Sequence, residues 1–186
     1  DVKRILGAAA RDVMVILGKQ NGIHGASTIT QQLIKNTILS SEAASESNPL
    51  DRINRKIKEI VLAVKLDKQV SKEEIIRTYL NTIPLSGHIY GVEAASRYFF
   101  AKNAKDRTLL ECAYIAGITR APTTYSAYNT SSSNYPNGYI NRTKTVLSKM
   151  LELGYISQED YNSAINDANA NNFNFKKMDT SSTVNN

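Results

Sequence analysis

Gly25-Ala26-Ser27-Thr28-Ile29-Thr30-Gln31-Gln32-Leu33-Ile34-Lys35-Asn36 reads as the start of a helix with small, hydroxyl and amide side chains ahead of one cation. Ser27 or Thr28 is placed to cap that helix, which should run to about Ser40. The backbone N–H groups of a first turn attract phosphate, and Lys35 adds a positive charge about two turns further along. Such a run suits a polyanionic or sugar-bearing ligand. The alternative is an ordinary capped helix with no ligand at all.

Helical spacing of apolar residues continues almost throughout the chain, and strand alternation is scarce, so the fold class is mainly α. A first helix is expected over residues 2–18, ending at Gly18. Ser41 to Asn48 is small and polar, which predicts an exposed, mobile loop. Pro49 suits an early helical position, and Leu50, Ile53, Ile57, Ile60, Val61 and Val64 form an apolar stripe expected to pack on the core. Ser71 with Glu74, Thr108 with Glu111, and Ser157 with Asp160 have capping-box spacing, and three such starts support a helical bundle. Pro84 to Gly87 reads as a turn, followed by a helix over 91–100 and another after Thr108. Residues 120–138, with two prolines and a Thr-Ser-Ser-Ser-Asn stretch, read as a long surface connection. Helices near 139–153 and 158–168 complete the domain. We therefore expect one domain over 1–168 and a disordered tail or linker over 169–186.

A chain of 186 residues suffices for one sizeable core. The net charge of +6 implies an anionic partner: nucleic acid, an acidic membrane surface or a phosphorylated substrate. With one cysteine, Cys112, an intrachain disulfide is excluded, and its apolar setting predicts a buried, inert thiol. No apolar run is long enough to span a bilayer and no signal peptide is present. The chain opens on Asp1 already in a helical pattern, so a preceding segment is expected.

A second informative element spans Arg52, Arg55, Lys58 and Glu59. At about 100° per residue, Arg52 and Arg55 fall within roughly 60° of Glu59, and small Ala63 one turn on would leave room for a ligand. From spacing alone a solvated face with an Arg55–Glu59 pair is the simpler reading.

Taken together, these runs resemble the peptidoglycan glycosyltransferases, the family of the N-terminal domain of bifunctional penicillin-binding proteins and of monofunctional transglycosylases. Gly25 to Asn36 is similar to the family's G-G-S-T-I-T-Q-Q-x-x-K-N motif, with Ala26 in place of the second Gly. Arg55-Lys56-Ile57-Lys58-Glu59-Ile60-Val61-Leu62-Ala63 resembles R-K-x-x-E-x-x-x-A. Tyr79-Leu80-Asn81, Gly91 to Phe99 and Leu110 to Gly117 with Ala121-Pro122 resemble later blocks, whose Tyr98, Phe99 and Ile115 read as core and Glu111 as a cap. The family's first block, E-D-x-x-F-x-x-H-x-G, is absent, and His24 does not replace its histidine. That block carries the Glu thought to deprotonate the acceptor, so the resemblance implies that the chain by itself lacks its base and is inactive. No S-x-x-K occurs, so penicillin-reactive chemistry is missing from this stretch.

The resemblance implies a lysozyme-like helical glycosyltransferase domain acting on lipid II and the growing glycan strand, releasing undecaprenyl pyrophosphate. Glu59 takes the catalytic acidic role, by polar contacts or through a divalent cation (Mg or Mn), with no metal ligand assigned. Ser27, Thr28, Gln31, Gln32, Lys35, Arg52, Arg55, Lys58 and Asn81 are the expected substrate and pyrophosphate contacts, Asn81 having a plain helix C-cap as its alternative. Expected partners are the bacterial membrane, through an N-terminal anchor outside the chain, and moenomycin-type inhibitors, with no nucleic acid. The location implied is the extracytoplasmic face of that membrane. Two other readings stay open: a lysozyme-like glycan-cleaving enzyme and a non-enzymatic module for anionic lipids. The first needs a carboxyl that donates a proton, which the cations beside Glu59 disfavour. The second lacks aromatic residues interleaved with the basic ones.

Overall fold

The computed structural model describes residues 27–128 and 137–176. The helix expected over 2–18, His24, and the Thr-Ser-Ser-Ser-Asn stretch lie outside the described residues. Among those described, the order is α1 (Ile29–Asn36), α2 (Ser40–Ala44), α3 (Pro49–Gln69), α4 (Lys72–Thr82), β1 (Pro84–Ser86), β2 (Ile89–Tyr90), α5 (Val92–Phe100), a 3-10 turn (Ala104–Asp106), α6 (Leu109–Ile118), α7 (Pro122–Tyr125), α8 (Gly138–Glu152) and α9 (Gln158–Asn169). The mainly α expectation holds. Within the span read as one domain, the chain separates into two compact units, Asp1–Ile83 and Pro84–Asn186. None of the described helices is long and apolar enough to cross a membrane.

In the first unit Thr28 rather than Ser27 caps α1. Its Oγ1 accepts the Gln31 N–H at 3.2 Å and Gln31 Oε1 accepts the Thr28 N–H at 2.7 Å, a reciprocal capping box. The helix expected to reach Ser40 stops at Asn36, where the Thr37 hydroxyl bonds back to the Leu33 carbonyl at 2.7 Å. The stretch expected as a loop then holds α2. Asn48 caps α3 through the Asp51 N–H, with Pro49 in the first turn, as the sequence suggests.

The apolar stripe of α3 packs on the core only in part. Leu50, Ile57 and Val61 are exposed, at 70%, 51% and 49%, while Arg55, Lys56 and Glu59 are buried. Ile60 and Val64 of that stripe do pack, half-buried with Leu62 and Leu66 against Ala63, Ile34 and Leu39. Ala63 is completely enclosed, so it contributes to the core and leaves no space above the helix. The expectation assumed that charge faces water; mutual ion pairing among charged residues lifts that constraint.

The second unit begins with an antiparallel hairpin, β1 against β2, where a turn was expected. Gly87 turns it at a φ of 45°, a left-handed value that favours glycine. The capping boxes at Thr108/Glu111 and Ser157/Asp160 both form; at Ser71 only the Glu74 N–H bond is made. The core is an aromatic cluster of Phe99, Phe100, Tyr114, Tyr128, Tyr139, Phe173 and Phe175. Burial pushes the Tyr114 phenol well above its usual range, and its oxygen accepts the Ala127 N–H at 3.0 Å. Residues up to Lys176, part of the stretch read as a tail, pack here: Phe173 is fully buried and the Lys176 N–H donates to the Phe99 carbonyl at 2.7 Å. Cys112, expected inside, is exposed. Helix α6 is apolar on nearly every side, so sequence alone does not tell which face meets water.

Glu111 is buried, accepting from Lys102 Nζ at 2.6 Å and from the Thr108 N–H at 2.9 Å. Glu111→Ala is expected to lower stability by about 2 kcal/mol, adding a lost cap to a lost charged bond from a partly exposed lysine. Glu111→Gln, keeping an acceptor, should lose less, as read from urea unfolding midpoints.

Candidate functional site

The charged face of α3 builds the site. Arg55 and Lys56 stand four and three residues before Glu59, so both reach its carboxylate from the preceding turn. Arg55 Nη1 donates to Glu59 Oε2 at 2.6 Å and Lys56 Nζ to Oε1 at 2.5 Å. Glu59 is 1% exposed, Arg55 8% and Lys56 5%. Buried charges persist only when neighbours satisfy them, and here each carboxylate oxygen faces a cation.

Two further contacts extend this centre. Lys56 Nζ also donates to Ser27 Oγ at 2.9 Å, across 29 residues of sequence, joining the start of α1 to the acidic group on α3. On the other side Arg55 Nε pairs with Glu46, whose other oxygen lies 3.6 Å from Arg52 Nε. The bond from Arg55, helped by the charges of Arg52 and Lys35, holds the Glu46 carboxyl below its ordinary range against the effect of burial. Lys35, in the last turn of α1, is exposed.

Thr28 and Gln31 are engaged in the capping box, and Gln31 Nε2 is buried without a partner among the described residues. Gln32 donates to the Ser27 carbonyl at 3.3 Å and accepts from the Tyr79 hydroxyl at 3.1 Å, tying α1 to α4. Burial raises the Tyr79 phenol above its usual range. Lys58, expected on a phosphate, points to Glu42 at 2.9 Å on the exposed side. Asn81 is exposed in the last turn of α4 and takes no part in the network; the C-cap is Ile83 instead.

Sequence reasoning passed over Lys56, Glu46 and Tyr79. The signal for Lys56 was present in the helix wheel: it lies about 60° from Glu59, against about 100° for Lys58. Glu46 carried none, since it sits in a polar run with no periodicity. A polar recess of about 340 Å³ adjoins the cluster, with Glu46, Asn54, Arg55 and Lys58 in its walls.

A divalent cation on Glu59 does not fit this donor set, because a guanidinium and an ammonium already occupy both oxygens. Among the described residues no group of three or more His, Cys, Asp or Glu side chains is arranged to hold a metal ion.

A family model described as Transglycosylase matches residues 1–151. Penicillin-binding protein 1A of Clostridium perfringens (strain 13 / Type A) is 51% identical over 175 residues, covering 94% of this chain and 25% of that protein. The Clostridium botulinum (strain Langeland) protein of the same name is 46% identical over 177 residues, covering 95% of this chain and 20% of that protein. This chain thus spans a quarter or less of these relatives. The crystal structure of penicillin-binding protein 1A from Haemophilus influenzae is 38% identical, with a TM-score of 0.46 over 54% of this chain and 14% of that one.

Proposed function

This chain belongs to the transglycosylase family, and from that premise we propose that the protein containing it polymerises lipid II into peptidoglycan strands and releases undecaprenyl pyrophosphate. The observation that carries this reading is the bridge of Lys56 between Ser27 and Glu59. It brings the hydroxyl-rich helix start and the acidic centre, two stretches far apart in sequence, into one cationic site.

In the reaction the acceptor sugar hydroxyl attacks the anomeric carbon of the lipid-linked donor with inversion. The bond from that carbon to the diphosphate oxygen breaks, and its electron pair leaves with the diphosphate. Positive charge placed where that anion forms lowers the barrier. Lys35, Arg52 and Lys58, with exposed cationic heads, supply it, joined by the edge of Arg55 that lines the recess. Ser27, Thr28 and Gln32 line the sugar or phosphate approach, and the fully buried Gln31 fixes the helix start behind them. Glu59 holds Arg55 and Lys56 in place, and since both its oxygens accept from cations, removal of the hydroxyl proton is assigned to a carboxylate outside this cluster.

Leu50, Ile57 and Val61, exposed on the helix that carries Glu59, suit a substrate with a polyprenyl tail and work at the extracytoplasmic face of the bacterial membrane. A moenomycin-type inhibitor, with its own phosphate and lipid, would compete there. Glycan cleavage fits less well, since neither oxygen of Glu59 is free to deliver a proton.

Fluorescent lipid II tests the assignment. The full-length protein should make polymer, Lys35→Ala should slow it by about 100-fold, and the 186-residue chain alone should make none. Polymer from the isolated chain would overturn the assignment of the base. Soluble muropeptides released from cell walls would overturn the reaction itself.

A further inference from the structure

Glu46 stands out because no part of the proposed chemistry uses it. It lies between α2 and α3, outside both helices, yet its carboxylate faces two guanidinium groups. Arg55 Nε is bonded to Oε1, Arg52 Nε is 3.6 Å from Oε2, and Lys35 acts on it through its charge. Its side chain is only 16% exposed. The other carboxylates beside the recess are differently placed. Asp51 is committed to Ser47 and Asn48 in the α3 cap, and the Glu42–Lys58 pair is largely in water, where such pairs contribute little.

We propose that Glu46 is an internal competitor for the diphosphate: its carboxylate takes the Arg55 and Arg52 guanidinium groups that a diphosphate would take, and it swings into the adjoining recess when that anion binds. This rests on the diphosphate reading given above. A diphosphate carries more negative charge and more acceptor oxygens than one carboxylate, so it wins the guanidinium forks when present. The carboxylate then returns to Arg55 as the product leaves, which neutralises the site and shortens the product's stay. Glu46 on this view tunes affinity and release without touching the reacting carbon. The loop position makes the exchange feasible, since moving the side chain breaks no helical hydrogen bond, and the recess of about 340 Å³ offers it space.

Inorganic pyrophosphate, titrated into the full-length protein by calorimetry, tests this. Glu46→Gln should bind pyrophosphate roughly 5-fold more tightly than the unaltered protein, since a nearby repelling charge is removed at partly screened distance. Glu46→Asp keeps the charge but withdraws it by one methylene, and should fall between the two. Circular dichroism verifies that each variant keeps its helices, and the Asp variant preserves the test should Gln fail to fold. Equal or weaker binding by folded Glu46→Gln would mean that Glu46 positions Arg55 and does not compete, which overturns the inference while leaving the diphosphate reading intact. Absence of binding by every form, or binding indifferent to Lys35→Ala and Arg52→Ala, would remove the diphosphate reading itself.

Discussion

Glu59→Gln is expected to reduce glycan polymerisation by the full-length protein on the order of 1000-fold and, separately, to destabilise the first unit by about 3–5 kcal/mol. The second effect follows from burial. Arg55 and Lys56 are nearly inaccessible, and both aim at the Glu59 carboxylate from within 2.6 Å. An amide of the same shape keeps an acceptor for one of them but removes the charge that made burying two cations tolerable. Loss of activity alone would therefore be ambiguous between chemistry and folding. The double variant Lys56→Met/Glu59→Gln separates them: it deletes one cation along with the anion and leaves Arg55 paired with Glu46. Unfolding in urea should show the double variant more stable than Glu59→Gln, a coupling that neighbouring residues in one network are expected to display. Polymerisation should stay lost in both. If the double variant were no more stable than the single one, the buried charges would not be balanced in the way their geometry implies.

That balance also explains which parts of the molecule the sequence made legible. Helix starts were readable because caps are local: Thr108 with Glu111 and Ser157 with Asp160 form reciprocal boxes at the expected spacing. The identity of Glu59 and Arg55 as partners was readable for the same reason, four residues being one turn. The orientation of α3 was not. Of its apolar stripe Ile60 and Val64 pack on the core, but Leu50, Ile57 and Val61 face outward, and ion pairs between buried side chains, which depend on three-dimensional proximity, take their place. Long-range contacts were equally silent. Nothing in the spacing of Ser27 and Lys56, or of Gln32 and Tyr79, indicates that they bond. Glu46 lies at the far end of this scale, because a polar loop has no period to read.

Phe173→Ala should destabilise the second unit by about 3–5 kcal/mol, the range for truncating a buried aromatic ring. Composition argues the reverse, since an Asn-rich stretch without apolar periodicity reads as a tail. The structure shows why two phenylalanines suffice. Phe173 is fully enclosed, stacked on Phe175 at 5.2 Å and edge-on to Tyr139 at 5.3 Å. Backbone turns at Asn171 and Asn174, with φ of 58° and 55°, set the two rings against the cluster, and Asn tolerates that left-handed region better than most residues. Hydrogen bonds then hold the end of the segment: the Tyr128 hydroxyl lies 2.6 Å from the Lys176 carbonyl and the Tyr139 hydroxyl donates to Asn171 at 2.9 Å. Phe173→Leu, which keeps most of the volume but none of the ring contacts, should lose about 1–2 kcal/mol, separating filled space from aromatic geometry. Truncation after Asn169 should resemble Phe173→Ala in thermal unfolding, because it removes the same ring along with weaker contacts. A loss below about 1 kcal/mol for Phe173→Ala would mean that the cluster closes without this segment, and that the unit's core ends with α9.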